Sequence, residues 1–463
     1  MLIETFSGIR GFEKDLTEES IGKYILSYTL WLKQEVKKPT VVIGMDPRPS
    51  SYRIKKTMIK ELLAEGCNVL DVDVNPTPAI ELAVREFKAD GGIIITGSHN
   101  DVEYNGWKFL SSNGAILEPE HADWVISNAQ KAVVCEKKPL GKAVDKVKEA
   151  SEKYIEYILG FLDKEAAETI KKRKLKAVVD PNGGAGAVVV KEILGRLGVK
   201  VIAKNMKIGG FVRTIEPNVN SLDYLSEVMK QEKADIGAGF DCDADRVEFL
   251  DDLGRMMSGQ FVAGLLAEEV LPGWESGNKV VVINDATSWL IKEVAAKYDA
   301  KVVEVEVGEI NVVKGMDKYD SIIGLEGSNG GCMVAPSRCR DGIQTLVFIL
   351  GLIAKSGKKL SELYDELPKY YTPRINVKRS DIDVVDVKKK IEKTFRNQGY
   401  KIQKTGDETG GLKIVIDDTS WIWYRASKTE HGVFRIIVDS KSKEKSEDLL
   451  RKGEQVFRIA VGE

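Results

Sequence analysis

Three aspartates alternate in one short stretch of the chain, the segment F-D-C-D-A-D-R at residues 240–246. Carboxylates held this close repel one another, so all three stay ionised at little cost only beside a cation. Hard oxygen ligands favour Mg²⁺ or Ca²⁺, and Mg²⁺ usually completes its coordination with water and phosphate oxygens. Asp241, Asp243 and Asp245 therefore predict a Mg²⁺ site that is open to a phosphate group.

An EF-hand loop and an exposed acidic turn are two other interpretations of the same segment. An EF-hand loop also begins with alternating aspartates, but it needs glycine at its sixth position and usually glutamate at its twelfth. Those positions hold Arg246 and Asp252, and the flanking residues are typical of strands rather than helices. An exposed acidic turn, balanced by Arg246, is the remaining alternative.

A serine follows the apolar run 92–95, in the segment T-G-S-H-N at residues 96–100. Ligands of open α/β sheets bind at the carboxyl ends of strands, and a serine hydroxyl can carry a phosphoryl group covalently. Ser98 lacks the G-x-S-x-G elbow of esterases. His99 would orient or neutralise a phosphoryl group, and Lys108 is a candidate general acid or base. A polar turn in which Ser98 caps a helix is the alternative.

Two later loops carry other polar groups. Glu326 and Ser328 offer an acceptor pair and a hydroxyl that suit sugar hydroxyl groups. The segment R-A-S-K-T-E at residues 425–430 combines fixed cations, hydroxyls and turn amides, which suits a phosphate dianion. Taken alone, these segments are better explained as a polar loop and a charged hairpin turn.

The loops around Ser98, Asp241 and Glu326 each follow a predicted strand in a repeating strand–helix pattern, which is typical of parallel sheets. After Pro368 this pattern gives way to strands and two helices, which predicts a loosely joined α+β domain. The predicted fold is α/β, with three similar modules of mixed, mainly parallel sheets and a C-terminal α+β domain around one central cleft. The predicted domains are residues 1–150, 151–254, 255–368 and 369–463.

The composition argues against several classes of function. The chain has 463 residues, of which 43% are hydrophobic and 30% charged, and its formal net charge is -2. This balance is typical of a soluble multidomain protein and gives no electrostatic basis for binding nucleic acid or an anionic membrane. We expect neither a membrane span nor a signal peptide. The five scattered cysteines indicate free thiols in a reducing cytoplasm.

Together, the four loops resemble those of the α-D-phosphohexomutase superfamily, specifically its phosphoglucomutase/phosphomannomutase branch. Residues 96–100 are similar to the phosphoserine loop, usually T-A-S-H-N, and residues 240–246 to the metal loop, usually D-G-D-x-D-R. Residues 326–329 resemble the sugar-binding loop, usually G-E-x-S/N-G, and residues 425–431 the phosphate loop, usually R-x-S-G-T-E-P. The loops follow in the same order over nearly the whole chain.

The resemblance implies a cytoplasmic isomerase that moves phosphate between the 1 and 6 positions of glucose or mannose. It implies phosphorylated Ser98, a hexose 1,6-bisphosphate as intermediate and activator, Mg²⁺ as cofactor and sugar phosphates as partners; we expect a monomer or homodimer. The implied catalytic residues are Ser98, His99, Lys108, Arg10 and Arg246, and the implied metal ligands are Ser98, Asp241, Asp243 and Asp245. The implied substrate-binding residues are Glu326, Ser328, Asn329, Gly308, Arg425, Ser427, Lys428, Thr429 and Arg435.

Several residues depart from the family pattern. Gly97 stands where the family usually has alanine, and we expect this change between small residues to have a mild effect. Leu325 and Asn329 replace glycines that flank the sugar-binding motif. Lys428 replaces a turn glycine, and it would be strained if that turn requires a positive φ; His431 replaces a proline. These differences leave two alternatives open: a mutase for an amino sugar phosphate such as glucosamine phosphate, and a non-catalytic sugar-phosphate-binding relative.

Overall fold

The structure is a computed structural model that describes residues 2–133, 139–275, 279–327, 330–379, 381–428 and 432–463. The chain divides into two compact units. The first unit is Met1–Met257 with Asn329–Leu363, and the second is Ser258–Ser328 with Tyr364–Glu463. The division into four domains remains a prediction.

The described chain alternates strands and helices until its last quarter. The strands are β1 (Ile3–Thr5), β2 (Gly8–Phe12), β3 (Thr40–Met45), β4 (Asn68–Val74), β5 (Gly91–Ile95), β6 (Tyr104–Ser111), β7 (Ala143–Asp145), β8 (Lys176–Asp180), β9 (Lys200–Ala203), β10 (Ile236–Phe240), β11 (Val247–Leu250), β12 (Val280–Asn284), β13 (Lys301–Val305), β14 (Ile323–Leu325), β15 (Cys332–Val334), β16 (Arg374–Lys378), β17 (Lys401–Lys404), β18 (Leu412–Asp417), β19 (Ser420–Ala426) and β20 (Val433–Ser440). The helices are α1 (Glu18–Leu32), α2 (Pro49–Ala64), α3 (Thr77–Glu86), α4 (Pro119–Ala129), α5 (Val147–Leu159), α6 (Lys164–Arg173), α7 (Val190–Arg196), α8 (Val219–Glu232), α9 (Gly259–Val270), α10 (Leu290–Ala296), α11 (Glu309–Tyr319), α12 (Gly342–Ser356), α13 (Leu360–Glu366), α14 (Val384–Asn397) and α15 (Lys443–Val461).

The first unit contains two mixed sheets. Seven strands form one sheet in the order β1-β2-β6-β5-β3-β4-β7, and four form the other in the order β11-β10-β8-β9. The pairs of β3 with β4 and β5, and of β8 with β9 and β10, are parallel. Both β5 and β10 are buried along their whole length, as expected of central strands in such sheets. Their carboxyl ends lead directly into Thr96 and Asp241, and so the sheets fix where the two polar loops begin.

The second unit contains a parallel arrangement and an antiparallel sheet. Strand β12 pairs in parallel with β13 and β14. The C-terminal sheet has the order β16-β20-β19-β18-β17, and its registered pairs are all antiparallel. Helices α14 and α15 cover this sheet through a core that includes Phe395, Phe434 and Phe457. The predicted fold class, with three α/β modules and a C-terminal sheet domain, is confirmed.

Two local features of the first unit differ from the strand pattern of the sequence. Strand β6 was not predicted, because it carries Asn105 and Lys108, which are polar residues that the structure buries in the sheet. Residues 255–257, which follow β11, pair with that strand through an isolated bridge between Met256 and Leu250 rather than as a full strand.

The C-terminal sheet is joined to the rest of its unit by buried polar contacts, which differs from the loose joining that we predicted. The indole Nε1 of Trp423 donates to Asp285 Oδ2 at 2.8 Å. On β18, Lys413 is 2% exposed and pairs with Glu304. Because a buried charge without its partner is costly, these contacts favour one cooperative unit.

Two further expectations concern cysteines and membranes. The four described cysteines, Cys67, Cys242, Cys332 and Cys339, are buried free thiols, and Cys135 lies outside the described residues. Among the described residues, the structure has no helix whose length and apolar character would let it cross a bilayer.

A buried carboxyl of the C-terminal sheet makes stability depend on pH. Asp439 accepts a hydrogen bond from the backbone of Trp289 at 2.8 Å, and burial raises the pKa of Asp439 from 3.8 to about 7. Above the unfolded pKa, the folded chain holds a proton that the unfolded chain has released. The stabilisation that this proton gives is therefore lost as the pH rises toward the folded pKa.

We expect Asp439→Asn to remove this dependence while keeping an acceptor for Trp289. Relative to the variant, the free energy of unfolding of the wild type should fall by about 2 kcal/mol between about pH 5 and about pH 7. Urea denaturation at both pH values measures the difference. An identical pH dependence in the two proteins would contradict the assignment.

Candidate functional site

Three buried carboxylates meet in the loop after β10, residues 241–246, which we call the acidic loop. One oxygen each from Asp241, Asp243 and Asp245 lies within 4.8 Å of the others. Among the described residues, Asp241 Oδ2, Asp243 Oδ1 and Asp245 Oδ1 have no hydrogen-bond donor. Burial raises the pKa of Asp241 well above its ordinary value, and the neighbouring charge of Asp245 raises it further. Three carboxyl oxygens that lack a hydrogen-bond donor, at this spacing, fit a divalent cation.

The turn at the start of α3 supports this acidic loop. The hydroxyl of Thr77 donates to Asp243 Oδ2 at 2.7 Å, and its backbone N–H donates to the Asp243 carbonyl at 2.9 Å. On the other side, the N–H of Ala185 donates to the Cys242 carbonyl at 2.8 Å. Backbone contacts therefore fix the acidic loop before any cation binds.

Ser98 lies at the carboxyl end of β5, where the polar loop begins. It is 2% exposed, and its φ is 52°, a left-handed conformation that is costly for a residue with a Cβ. Thr96 Oγ1 accepts from the Ser98 N–H at 2.7 Å and donates to Asp46 Oδ2 at 2.7 Å. Such strain persists only where the surrounding structure fixes the residue, as the contacts of Thr96 do here.

Arg48, at the N-cap of α2, binds the loop between β5 and β6, residues 96–103, which we call the serine loop. We call this set of contacts the clasp. Its side chain is buried, and its nitrogens donate to Asp46 Oδ2 and to the carbonyls of Ser98, Asn100, Asp101 and Tyr104. A Cβ on Gly97 would lie 2.8 Å from Arg48 Cζ. Alanine at position 97 would therefore crowd the clasp, so the exchange that we expected to be mild is constrained in this chain.

Three of the predicted catalytic residues surround the acidic loop. Lys108 on β6 is 5% exposed, and its Nζ lies 3.8 Å from Asp245 Oδ2 and 4.0 Å from Asp243 Oδ2. Arg246 Nε lies 3.9 Å from Asp245 Oδ1. Burial and the charge of Arg246 lower the pKa of Arg10. The structure thus brings these cations together around the carboxylates.

His99 is a neutral side chain in this setting. The charge of Arg246 and burial lower the pKa of His99 well below its ordinary value, and Arg10 lowers it further. Its Nδ1 lies 3.4 Å from the hydroxyl of Ser98. A neutral imidazole can orient a phosphoryl group by hydrogen bonding, and this is the role that the lowered pKa favours.

Sequence reasoning missed Arg340, a further cation of this site. Its Nη2 lies 2.7 Å from Asp245 Oδ2, 95 residues away along the chain. The segment 330–342 sits directly on the acidic loop, because a Cβ on Gly331 would lie 2.3 Å from the Asp245 carbonyl. The only local signal is that Arg340 precedes Asp341, the N-cap of α12, and this signal does not indicate contact with Asp245.

Most of the predicted substrate-binding residues lie in the second unit. Glu326 follows β14, is 3% exposed and accepts a hydrogen bond from Asn284 Nδ2 at 2.9 Å. Gly308 is the N-cap of α11 with a φ of 139°, a value that few other residues adopt. Ser328, Asn329 and Thr429 lie outside the described residues.

The predicted phosphate loop follows β19. Arg425 is 5% exposed and faces Arg435 across the β19–β20 pair, and the N–H of Ser427 donates to the Val433 carbonyl at 2.7 Å. Lys428 is not among the residues with positive φ, so the expected backbone strain is absent. His431 lies outside the described residues.

Comparison with known proteins agrees with this arrangement. The chain matches the family profiles described as phosphoglucomutase/phosphomannomutase, alpha/beta/alpha domains I, II and III, over residues 3–133, 152–254 and 258–371 respectively. The chain belongs to this family, within the α-D-phosphohexomutase superfamily. It is therefore an enzyme, an isomerase of the intramolecular phosphotransferase type, which argues against the non-catalytic alternative.

The similarity to individual relatives covers almost the whole chain. A phosphoglucomutase/phosphomannomutase of Thermococcus kodakarensis is 38% identical, with 99% of each chain covered. A phosphoglucosamine/phosphogalactosamine mutase of Sulfurisphaera tokodaii is 29% identical, with 96% of each covered. The crystal structure of a phosphoglucomutase/phosphomannomutase family protein from Burkholderia thailandensis has a TM-score of 0.82 at 21% identity, covering 98% of this chain and 96% of that chain.

Mg²⁺ should stabilise the protein through the acidic loop. A cation relieves the repulsion among the three carboxylates, so we expect saturating Mg²⁺ to raise the thermal midpoint by about 5 °C. Asp243→Asn should abolish most of this shift, whereas Asp223→Asn, an exposed position on α8, should leave it unchanged. Differential scanning calorimetry measures the shift, and an equal response in both variants would rule out the site.

Arg48→Lys should impair turnover through the serine loop. Lysine cannot satisfy five acceptors, so the Ser98 hydroxyl loses its fixed position, and we expect kcat to fall about 100-fold. Arg53→Lys is the matched control, because Arg53 lies on the same helix and donates to the Leu16 carbonyl at 2.9 Å. Equal kcat values for the two variants would show that the clasp does not position Ser98.

Proposed function

We propose that this enzyme interconverts hexose 1-phosphate and hexose 6-phosphate, with glucose or mannose as the sugar. The observation that carries the proposal is the environment of Ser98, a buried serine in a strained conformation beside the acidic loop. His99, the next residue, has its pKa shifted by Arg246, Arg10 and Asp245. The serine loop and the acidic loop therefore share one electrostatic environment, as transfer of a charged phosphoryl group requires.

The proposed reaction proceeds through phosphorylated Ser98. A sugar hydroxyl attacks the phosphorus, a new P–O bond forms to the sugar and the bond to Ser98 Oγ breaks. The resulting hexose 1,6-bisphosphate reorients and returns its other phosphoryl group to Ser98. Added hexose 1,6-bisphosphate acts as the activator, because it phosphorylates any enzyme that has lost its phosphate.

The acidic loop is the proposed Mg²⁺ site. Asp241, Asp243 and Asp245, with phosphorylated Ser98, would hold the ion, which withdraws charge from the transferring group when bound. Arg10 and Arg246 add positive potential at the phosphoryl oxygens. We propose that Lys108 is the general acid or base that exchanges a proton with the sugar hydroxyl. Neutral His99 would donate or accept a hydrogen bond that orients the phosphoryl group.

The second unit supplies most of the proposed groups for substrate recognition. Glu326, Ser328, Asn329 and Gly308 would bind the sugar in either orientation. The phosphate that does not react would be bound by Arg425, Ser427, Lys428, Thr429 and Arg435. Binding energy from this remote phosphate positions the reacting end of the sugar and so lowers the barrier.

An amino sugar phosphate is the second candidate substrate. It is supported by the relative from Sulfurisphaera tokodaii, named a phosphoglucosamine/phosphogalactosamine mutase. Purified enzyme assayed with glucose, mannose and glucosamine 1-phosphates, each with its bisphosphate activator, would identify the preferred sugar by kcat/KM.

Replacement of Ser98 tests the mechanism. Ser98→Ala removes the phosphoryl carrier, so we expect turnover to fall by at least about 10⁴-fold, in line with the loss of other catalytic nucleophiles. Intact-protein mass spectrometry after incubation with hexose 1,6-bisphosphate should show one added phosphate on the wild type and none on the variant. Ser112→Ala, in the exposed turn after β6, is the control. Undiminished turnover by Ser98→Ala would overturn the mechanism.

A further inference from the structure

The carboxylate of Glu306 forms ion pairs with two cations of the phosphate loop, Arg425 and Lys428. Glu306 follows β13, and its Oε1 lies 2.9 Å from Arg425 Nη2 and 2.8 Å from Lys428 Nζ. The side chains of Glu306 and Arg425 are 13% and 7% exposed, so water screens this pair only weakly. One carboxylate oxygen thus contacts two of the three cations that we assign to the phosphate.

The surrounding loop keeps this carboxylate in place. A Cβ on Gly406 would lie 2.1 Å from Glu306 Oε2, so the backbone at Gly406 passes directly beside the carboxylate. Lys388 Nζ donates to the carbonyl of Glu408 at 2.7 Å and so fixes the same loop. The loop at Gly406 therefore packs against the carboxylate of Glu306 within the second unit.

Arg425 keeps a donor that Glu306 does not use. Its Nε is buried and has no hydrogen-bond acceptor among the described residues. A buried donor without a partner is costly. A phosphate dianion has three acceptor oxygens, so it can satisfy donors that the single Glu306 oxygen leaves unpaired.

We propose that Glu306 is an internal counter-anion that sets the affinity and anion selectivity of the phosphate loop. This inference rests on the proposed function for the assignment of Arg425 and Lys428 to a phosphate. A phosphate dianion carries about twice the charge of the carboxylate and displaces it from both cations. A monoanion gains too little to displace Glu306, so the loop selects dianions.

Glu304 provides a matched comparison two residues earlier. It pairs with Lys292 at 2.8 Å and with Lys413, and so it joins β13 to the C-terminal sheet as Glu306 does. Neither partner belongs to the phosphate loop. A general loosening of the unit should therefore follow from both Glu304→Gln and Glu306→Gln, whereas a change in phosphate affinity should follow from Glu306→Gln alone.

Isothermal titration calorimetry with inorganic phosphate tests the proposal. We expect Glu306→Gln to bind phosphate about tenfold more tightly than the wild type, a difference of about 1.4 kcal/mol. Glu304→Gln should stay within about twofold of the wild type. Arg425→Gln in the Glu306→Gln background should cancel the gain, which separates this loop from phosphate bound near Ser98. Acetate affinity should rise by a larger factor than phosphate affinity in Glu306→Gln.

Each outcome decides the question. Unchanged or weaker phosphate binding in Glu306→Gln, or an equal gain in Glu304→Gln, would overturn the proposal. If Glu306→Gln does not fold, Glu306→Asp draws the carboxylate back by one methylene, and about threefold tighter binding is expected. The measurement does not use turnover, so a failure of the proposed mutase activity, seen in the hexose phosphate assays, is distinguishable from a failure of the Glu306 proposal.

Discussion

Repulsion among three buried carboxylates is the constraint on which the first unit depends. Asp241, Asp243 and Asp245 are each at most 1% exposed, so water does little to separate their charges. The fold compensates by directing cations at the loop from distant parts of the chain, among them Lys108 from β6 and Arg340 from the segment before α12. The buried lysine of β6 is thus explained by the acidic loop that it faces.

Much of the fold follows from local patterns. The apolar runs of β5 and β10, each followed by a polar loop, are visible in the sequence because burial and strand periodicity are local properties. The predicted catalytic residues Ser98, His99, Lys108, Arg10 and Arg246 fall in the first unit with the three aspartates. Their roles remain predictions, as do the cytoplasmic location, the oligomeric state and the central cleft.

The rest could not be predicted, because it depends on contacts between remote segments. Arg48 lies in a proline-rich string that resembles a simple turn, and its clasp on the serine loop appears only when residues 50 positions apart meet. Arg340 reaches an aspartate 95 positions away. Glu306 is one of several acidic residues around β13, and its pairing with Arg425 depends on how the C-terminal sheet packs within its unit.

The left-handed conformation of Ser98 has a consequence for how this enzyme can change over time. A glycine at this position would adopt the same φ without the steric cost of a Cβ. Loss of the hydroxyl would then leave the fold intact and relieve its strain. If Ser98 is the phosphoryl carrier that we propose, the change that most relaxes the backbone here would also remove the group that reacts.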